Sequence, residues 1–113
     1  MPHDTLVEVY EKHCFDNWDG YGAKAVTAEA YEEATRFIVL LPTLTLIPEI
    51  AVDPDGEIVF EWRNGHNAFS VSVGVSGCLT YGGIFGTNKV NGLVRFGECI
   101  PKVITDNLYA IEV

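Results

Sequence analysis

The chain has 113 residues and a mass near 12.4 kDa, which is room for one domain. A hydrophobic content of 48% is enough to build a core and argues against disorder. Sixteen acidic residues against seven basic ones, a net charge of −9, argue against nucleic acid or an anionic membrane as a direct partner and fit a soluble protein or one that docks onto a basic surface.

The mixed, acidic opening from Met1 to Tyr10 does not read as a signal peptide, and no apolar run is long enough to span a bilayer. Thr5-Leu6-Val7-Glu8 fits a capping box, and Leu6, Val9, Tyr10 and His13 recur at helical spacing, so a first helix is expected over roughly 5–14. Asn17-Trp18-Asp19-Gly20-Tyr21-Gly22 then demands a turn or an irregular loop. Thr27 is an N-cap for a second helix from Ala28 to Leu41, ended by Pro42. Its apolar face carries Tyr31, Ala34, Phe37, Ile38 and Leu41, and its polar face Glu29, Glu32, Glu33 and Arg36, with Glu32 four residues ahead of Arg36.

After Pro48 the period changes to two. Strands are expected at Glu49–Asp53 and Glu57–Arg63, joined by a tight turn at Asp53-Pro54-Asp55-Gly56. Phe69, Val71, Val73 and Val75 alternate with Ser70, Ser72, Gly74 and Ser76 in a half-buried third strand, and Cys78 to Tyr81 forms a fourth. Gly82 to Gly92 reads as a glycine-rich loop, Leu93 to Phe96 as a short fifth strand, and Ile100, Val103, Ile104, Leu108 and Ile111 as a last helix near 100–110. The order implies a single α+β domain over residues 1–113: two N-terminal helices, an antiparallel meander of four to five strands and a short C-terminal helix.

The charge is uneven. Residues 1–56 hold 11 acids and 3 bases, and residues 57–113 hold 5 acids and 4 bases, so the acidity sits in the helical front half. Cys14, Cys78 and Cys99 are odd in number and widely spaced, which points to reduced packing thiols in a cytoplasmic protein.

The sequence carries no complete catalytic or metal-binding motif. Gly74-Val75-Ser76-Gly77-Cys78 lacks the last glycine and the following helix of a nucleophile elbow, and Gly82 to Lys89 lacks the Gly-Lys-Ser/Thr ending of a phosphate loop. Adjacent His13 and Cys14 diverge on a helix, so they are not preset for nucleophilic attack. Asp16, Asn17 and Asp19 resemble a calcium loop, but Trp18 stands where an oxygen ligand is needed, and the histidines follow no zinc spacing. Glu57 and Glu61 sit too far apart along a strand for a glycosidase pair and read as solvated positions. No catalytic residue, cofactor or metal is therefore assigned.

Two motifs stand out. Trp18, Asp19 and Tyr21 lie in the glycine loop, where Trp18 suits a plug between helices and sheet and Asp19 a turn cap, or the set suits a recognition surface. In Glu61-Trp62, Trp62 belongs to the core and Glu61 points outward. The run Trp18 to Ala23 ahead of an amphipathic helix, with Leu41-Pro42, Pro48, Asp55-Gly56 and Glu61-Trp62, resembles a family of small uncharacterised bacterial and phage proteins over about residues 16–82. The resemblance implies a bacterial or phage-borne protein and no activity.

Three functions follow as expectations. The first is a non-catalytic binding or inhibitory module, of the antitoxin-like or anti-defence kind, on a basic protein surface; a nucleic-acid-binding protein is one such partner. Its binding residues are Trp18, Asp19, Tyr21, Glu29, Glu32, Glu33 and Glu61. The second is a small enzyme built on Asp19, Tyr21, Glu61 and His66. The third is a homodimer using a sheet edge or the face of Ser70 and Ser72.

Overall fold

The structure, a computed structural model, describes residues 2–113. Its elements follow the chain as α1 (Pro2–His13), α2 (Ala28–Leu40), β1 (Glu49–Val52), β2 (Ile58–Asn64), β3 (Asn67–Val73), β4 (Cys78–Phe85), β5 (Asn88–Arg95) and α3 (Lys102–Ile111). The five strands form one antiparallel sheet in sequence order, so every strand pairs with its chain neighbour. The α+β class and the meander expected from the sequence are both present.

Strand alternation decides which face is buried. Ile58, Phe60 and Trp62 on β2 and Phe69, Val71 and Val73 on β3 point to one side and are buried. α2 and α3 pack over these two strands, and α1 packs against β1 and α2. Phe37 of α2 is the central knob, with its ring centroid 4.9 Å from Phe60, 6.4 Å from Trp62 and 6.1 Å from Phe96. Tyr10 stacks on Tyr31 at 4.5 Å and fixes α1 against α2. Among the described residues all three helices lie on this face, and none packs against the opposite face of the sheet.

The caps explain the helix limits. The Thr27 hydroxyl accepts the Ala30 amide at 3.1 Å and starts α2, as its sequence position predicts. Leu41 ends α2 in an extended conformation ahead of Pro42. α1 differs from expectation: it begins at Pro2, so Thr5 falls inside the helix and is not its cap. Proline suits the first helical turn, where its missing N–H would have no intrahelical partner anyway.

Gly82 to Gly92, expected as a loop, is part of a β-hairpin. β4 runs on to Phe85, Gly86 and Thr87 make the turn, and β5 returns from Asn88. Tyr81 pairs across the ladder with Gly92, and its ring occupies the space where a Gly92 side chain would stand. Gly83 lies likewise against Phe69 and Phe85. These glycines serve neighbouring aromatics and do not mark a loop. The third strand ends at Val73, which leaves Val75 exposed in the following turn.

The cysteines also depart from expectation. All three remain unpaired, but none packs in the core: Cys14 and Cys99 are exposed and Cys78 is half-buried on the open sheet face.

Two long-range latches tie the helices and the chain end to the rest. Arg36 binds Glu33 through two hydrogen bonds of 2.9 and 3.1 Å, donates to the Gly97 carbonyl at 2.5 Å, and lies 3.6 Å over the Phe96 ring. Its ion-pair partner is thus Glu33, not the expected Glu32. Near the C-terminus, the Glu112 carboxylate accepts the Thr45 amide, the Thr45 hydroxyl and the Leu46 amide at 2.7–2.8 Å. These bonds hold its carboxyl below the usual acid range, with the Leu46 amide contributing most.

Candidate functional site

The loop between α1 and α2 is built almost entirely from its own polar groups. Asn17 takes a left-handed conformation at φ 61°, a geometry asparagine tolerates better than most residues. Its side-chain oxygen accepts the Gly22 amide at 2.6 Å, and its carbonyl accepts the Gly20 amide at 3.1 Å. One oxygen of Asp19 accepts the Tyr21 and Ala23 amides at 2.8 and 3.1 Å, and Asp16 accepts Ala25 at 3.1 Å. The remaining amides reach outward: Lys24 to the Pro54 carbonyl at 2.9 Å and Val26 to the His13 carbonyl at 2.8 Å. Every amide from Gly20 to Val26 therefore has an acceptor, and the loop is docked on the β1–β2 turn.

One side-chain oxygen each of Asp16, Asn17 and Asp19 is turned onto backbone amides of the loop. Asp19 caps a turn, as one sequence reading expects. Trp18 does not plug the core. It is half-buried, donates its indole N–H to the Lys24 carbonyl at 2.8 Å, and meets the His13 ring edge-on at 4.5 Å. His13 is held in turn by a 2.6 Å bond between its Nδ1 and the Val9 carbonyl. Trp18 thus clasps the loop onto the end of α1. Tyr21, 93% exposed, stands at the tip with its side chain in solvent.

The glutamates of α2 fall into two groups. Glu33 is held by Arg36, whose hydrogen bonds lower its carboxyl pKa, so it stays ionised with its charge balanced by the guanidinium. Glu29 and Glu32 are exposed, and the ion pairs among the described residues do not include them. Glu29 lies in the first turn of α2, where the helix dipole favours a negative charge. The Tyr10–Tyr31 stack sets the C-terminal half of α1, with exposed Glu8 and Glu11, beside this half of α2.

Glu61 lies on the other side of the molecule. It faces outward from the middle of β2 and pairs with Arg63 at 2.8 Å. With His66 and Ser70 these residues border a depression of about 360 Å³ on the open sheet face. Asp19 and Tyr21 belong to the loop docked at the β1–β2 turn, and His66 to the β2–β3 turn at the opposite end of β2. Asp19, Tyr21, Glu61 and His66 are therefore not brought together into one site. Among the described residues, no group of three or more His, Cys, Asp or Glu side chains is arranged to hold a metal ion.

Two features escaped the sequence reading. Glu57 packs beside Gly74, and burial first, then the charges of Asp53 and Asp55, push its carboxyl pKa up. Crowding of acids in Asp53-Pro54-Asp55-Gly56-Glu57 was the available signal. An apolar cavity of about 360 Å³ also opens between the end of α2 and the 41–48 connection, lined by Leu41, Leu44, Leu46, Ile47 and Trp62. Trp62 is fully buried, and its indole N–H has no acceptor among the described residues. Between Leu41-Pro42 and Ile47-Pro48 only Thr43 to Leu46 alternates, and the run forms no strand, so its burial was not legible.

No family model, curated protein or solved structure matches the chain. No helix among the described residues is long and apolar enough to cross a membrane.

Proposed function

We propose that the chain is an acidic, non-catalytic binding module that offers its α1–α2 layer and the Tyr21 loop to a basic protein surface. The observation that carries this reading is the arrangement at one end of the helical layer. Exposed Glu8 and Glu11 on α1 and Glu29 and Glu32 on α2 stand on the helix halves that flank a loop whose amides from Gly20 to Val26 are all bonded and whose tip presents Tyr21. Solvated carboxylates steer a basic partner from a distance, and a tyrosine on a preordered loop supplies contact area at low entropic cost. Trp18 and Asp19 contribute by holding the loop in shape, and Glu33 by anchoring Arg36; Glu61 lies outside this surface. Antitoxin-like and anti-defence inhibitors of mobile elements work in this way, and the resemblance to small bacterial and phage proteins is consistent with it.

The test is capture from a host lysate on the immobilised chain, run beside a Glu8→Gln/Glu11→Gln/Glu29→Gln/Glu32→Gln variant and a Tyr21→Ala variant. The captured protein is expected to be basic and to be lost with either variant. Its affinity is expected to fall at least about tenfold between 0.1 and 1 M salt, as the screening length contracts from ~10 to ~3 Å. Binding that ignores both salt and the glutamine variant overturns the reading.

A further inference from the structure

The open face of the sheet carries an ordered pattern that the proposed binding role does not use. The strand register sets its side chains in rows. One row runs Glu49, Glu61, Ser70, Gly82, Asn91 from β1 to β5, and the next runs Ala51, Val59, Ser72, Thr80, Leu93. Two properties follow. The centre, on β3 and β4, has small side chains, whereas Leu93 is 69% and Ile84 44% exposed toward the β4–β5 side. The charges are separated: Glu49 and Glu61 stand on β1 and β2, and Lys89 and Arg95 on β5. Arg63 is already paired with Glu61. Three of the seven basic residues of the chain lie on this face, so it escapes the negative charge of the helical layer.

We infer that this face is the interface of a homodimer in which two sheets pack face to face about a two-fold axis parallel to the strands. Such an axis passes over β3. It lays β1 of one copy on β5 of the other and β2 on β4. Glu49 then meets the segment of the second copy that carries Lys89 and Asn91, and Ala51 meets Leu93. Ser70 and Ser72 lie at the axis, where their small size lets the sheets approach to the ~10 Å of a β-sandwich. An axis perpendicular to the strands is worse, because it sets β5 on β5 and brings Lys89 toward Arg95. The area also suffices. Four strands of seven to eight residues and the four-residue β1, about 4.8 Å apart, cover roughly 24 Å across and up to about 24 Å along the strands. That is a flat footprint of more than about 500 Å² per copy, and side-chain relief brings it toward the ~800 Å² of a standard interface.

The charge separation makes the inference testable by exchange. Sedimentation velocity on the full chain, from about 1 to about 300 µM, is expected to show a concentration-dependent dimer. Glu49→Lys and Lys89→Glu, both at exposed positions, are each expected to weaken it about tenfold, and the double variant to recover most of the loss. Ser72→Arg at the axis is expected to abolish the dimer, with circular dichroism confirming that the fold survives. A monomer across the whole range overturns the inference. So does a dimer that is indifferent to Ser72→Arg and to the charge exchange, since the contact then lies elsewhere, for example along the β5 edge.

Discussion

Replacing Gly56 with alanine is the most direct test of how the loop is held. Gly56 closes the β1–β2 turn at φ +84°, and a Cβ there would stand 2.7 Å from the Ala25 carbonyl oxygen. That oxygen belongs to backbone and has no flexible side chain to move aside. Two costs therefore add. The left-handed conformation costs an alanine about 1–2 kcal/mol. The displaced loop also loses the Lys24–Pro54 hydrogen bond, worth about 0.5–1.5 kcal/mol. A total of about 2–3 kcal/mol corresponds to a fall of roughly 10 °C in Tm for a domain of this size. Gly65→Ala is the control: Gly65 also has a positive φ, 61°, but nothing lies within 4 Å of its Cβ position. It carries the conformational cost alone, and the change in unfolded-chain entropy is shared by both variants. Urea denaturation should place Gly56→Ala about 1 kcal/mol below Gly65→Ala, and trypsin should cut faster after Lys24 in the former. Equal losses would mean that the loop does not rest on the turn.

Glu112 and Glu57 give pH signatures of opposite sign. The folded pKa of Glu112 lies below its ordinary 4.5, so its stabilisation is present above that value and is lost as pH falls through the folded one. Glu112→Gln is expected to be less stable than the parent at pH 7, with the gap closing in acid; a gap that persists at low pH would refute the role of charge. The folded pKa of Glu57 is raised, so its ionisation opposes folding at neutral pH, and this penalty disappears below 4.5. Glu57→Gln should gain up to about 0.5 kcal/mol at pH 7 and nothing below pH 4 in thermal melts. Trp62→Phe should cost less than about 1.5 kcal/mol by chemical denaturation, because it keeps an aromatic ring in the core and removes an indole N–H that has no acceptor among the described residues. Trp62→Ala should cost about 3–5 kcal/mol; similar losses in both would show that the N–H is well bonded.

The parts of the fold written in side-chain periodicity were legible. Alternation on β2 and β3 marks Phe60, Trp62, Phe69 and Val71 as core, and Thr27 and Pro42 frame α2. The hairpin of β4 and β5 was not, because Gly83 and Gly92 break the alternation where Phe69 and Tyr81 fill their space from neighbouring strands. A residue that is small because another ring covers it looks, in one dimension, like a residue that is small because the chain must bend. The site was legible in composition and not in geometry. The sequence marks Trp18, Asp19 and Tyr21 as one cluster, but only the fold shows Trp18 clasped to His13, Asp19 spent on amides and Tyr21 free at the tip. Glu33 and Glu61 looked like their neighbours until Arg36 and Arg63 claimed them.

The meander also sets an order of assembly. Since each strand pairs only with its neighbour in sequence, the sheet can zip through short hairpins with little loop-closure entropy at each step, which favours a fast folding rate. The contacts that span the chain, from Arg36 to Gly97 and from Glu112 to Thr45 and Leu46, can form only once the sheet has brought their elements together. Native-state hydrogen exchange should then find the slowest amides on β2 and β3 and the fastest in α1 and the last turn of α3. On this ordering the chain closes from its middle outward, and its two ends are the last parts to lock and the first to open.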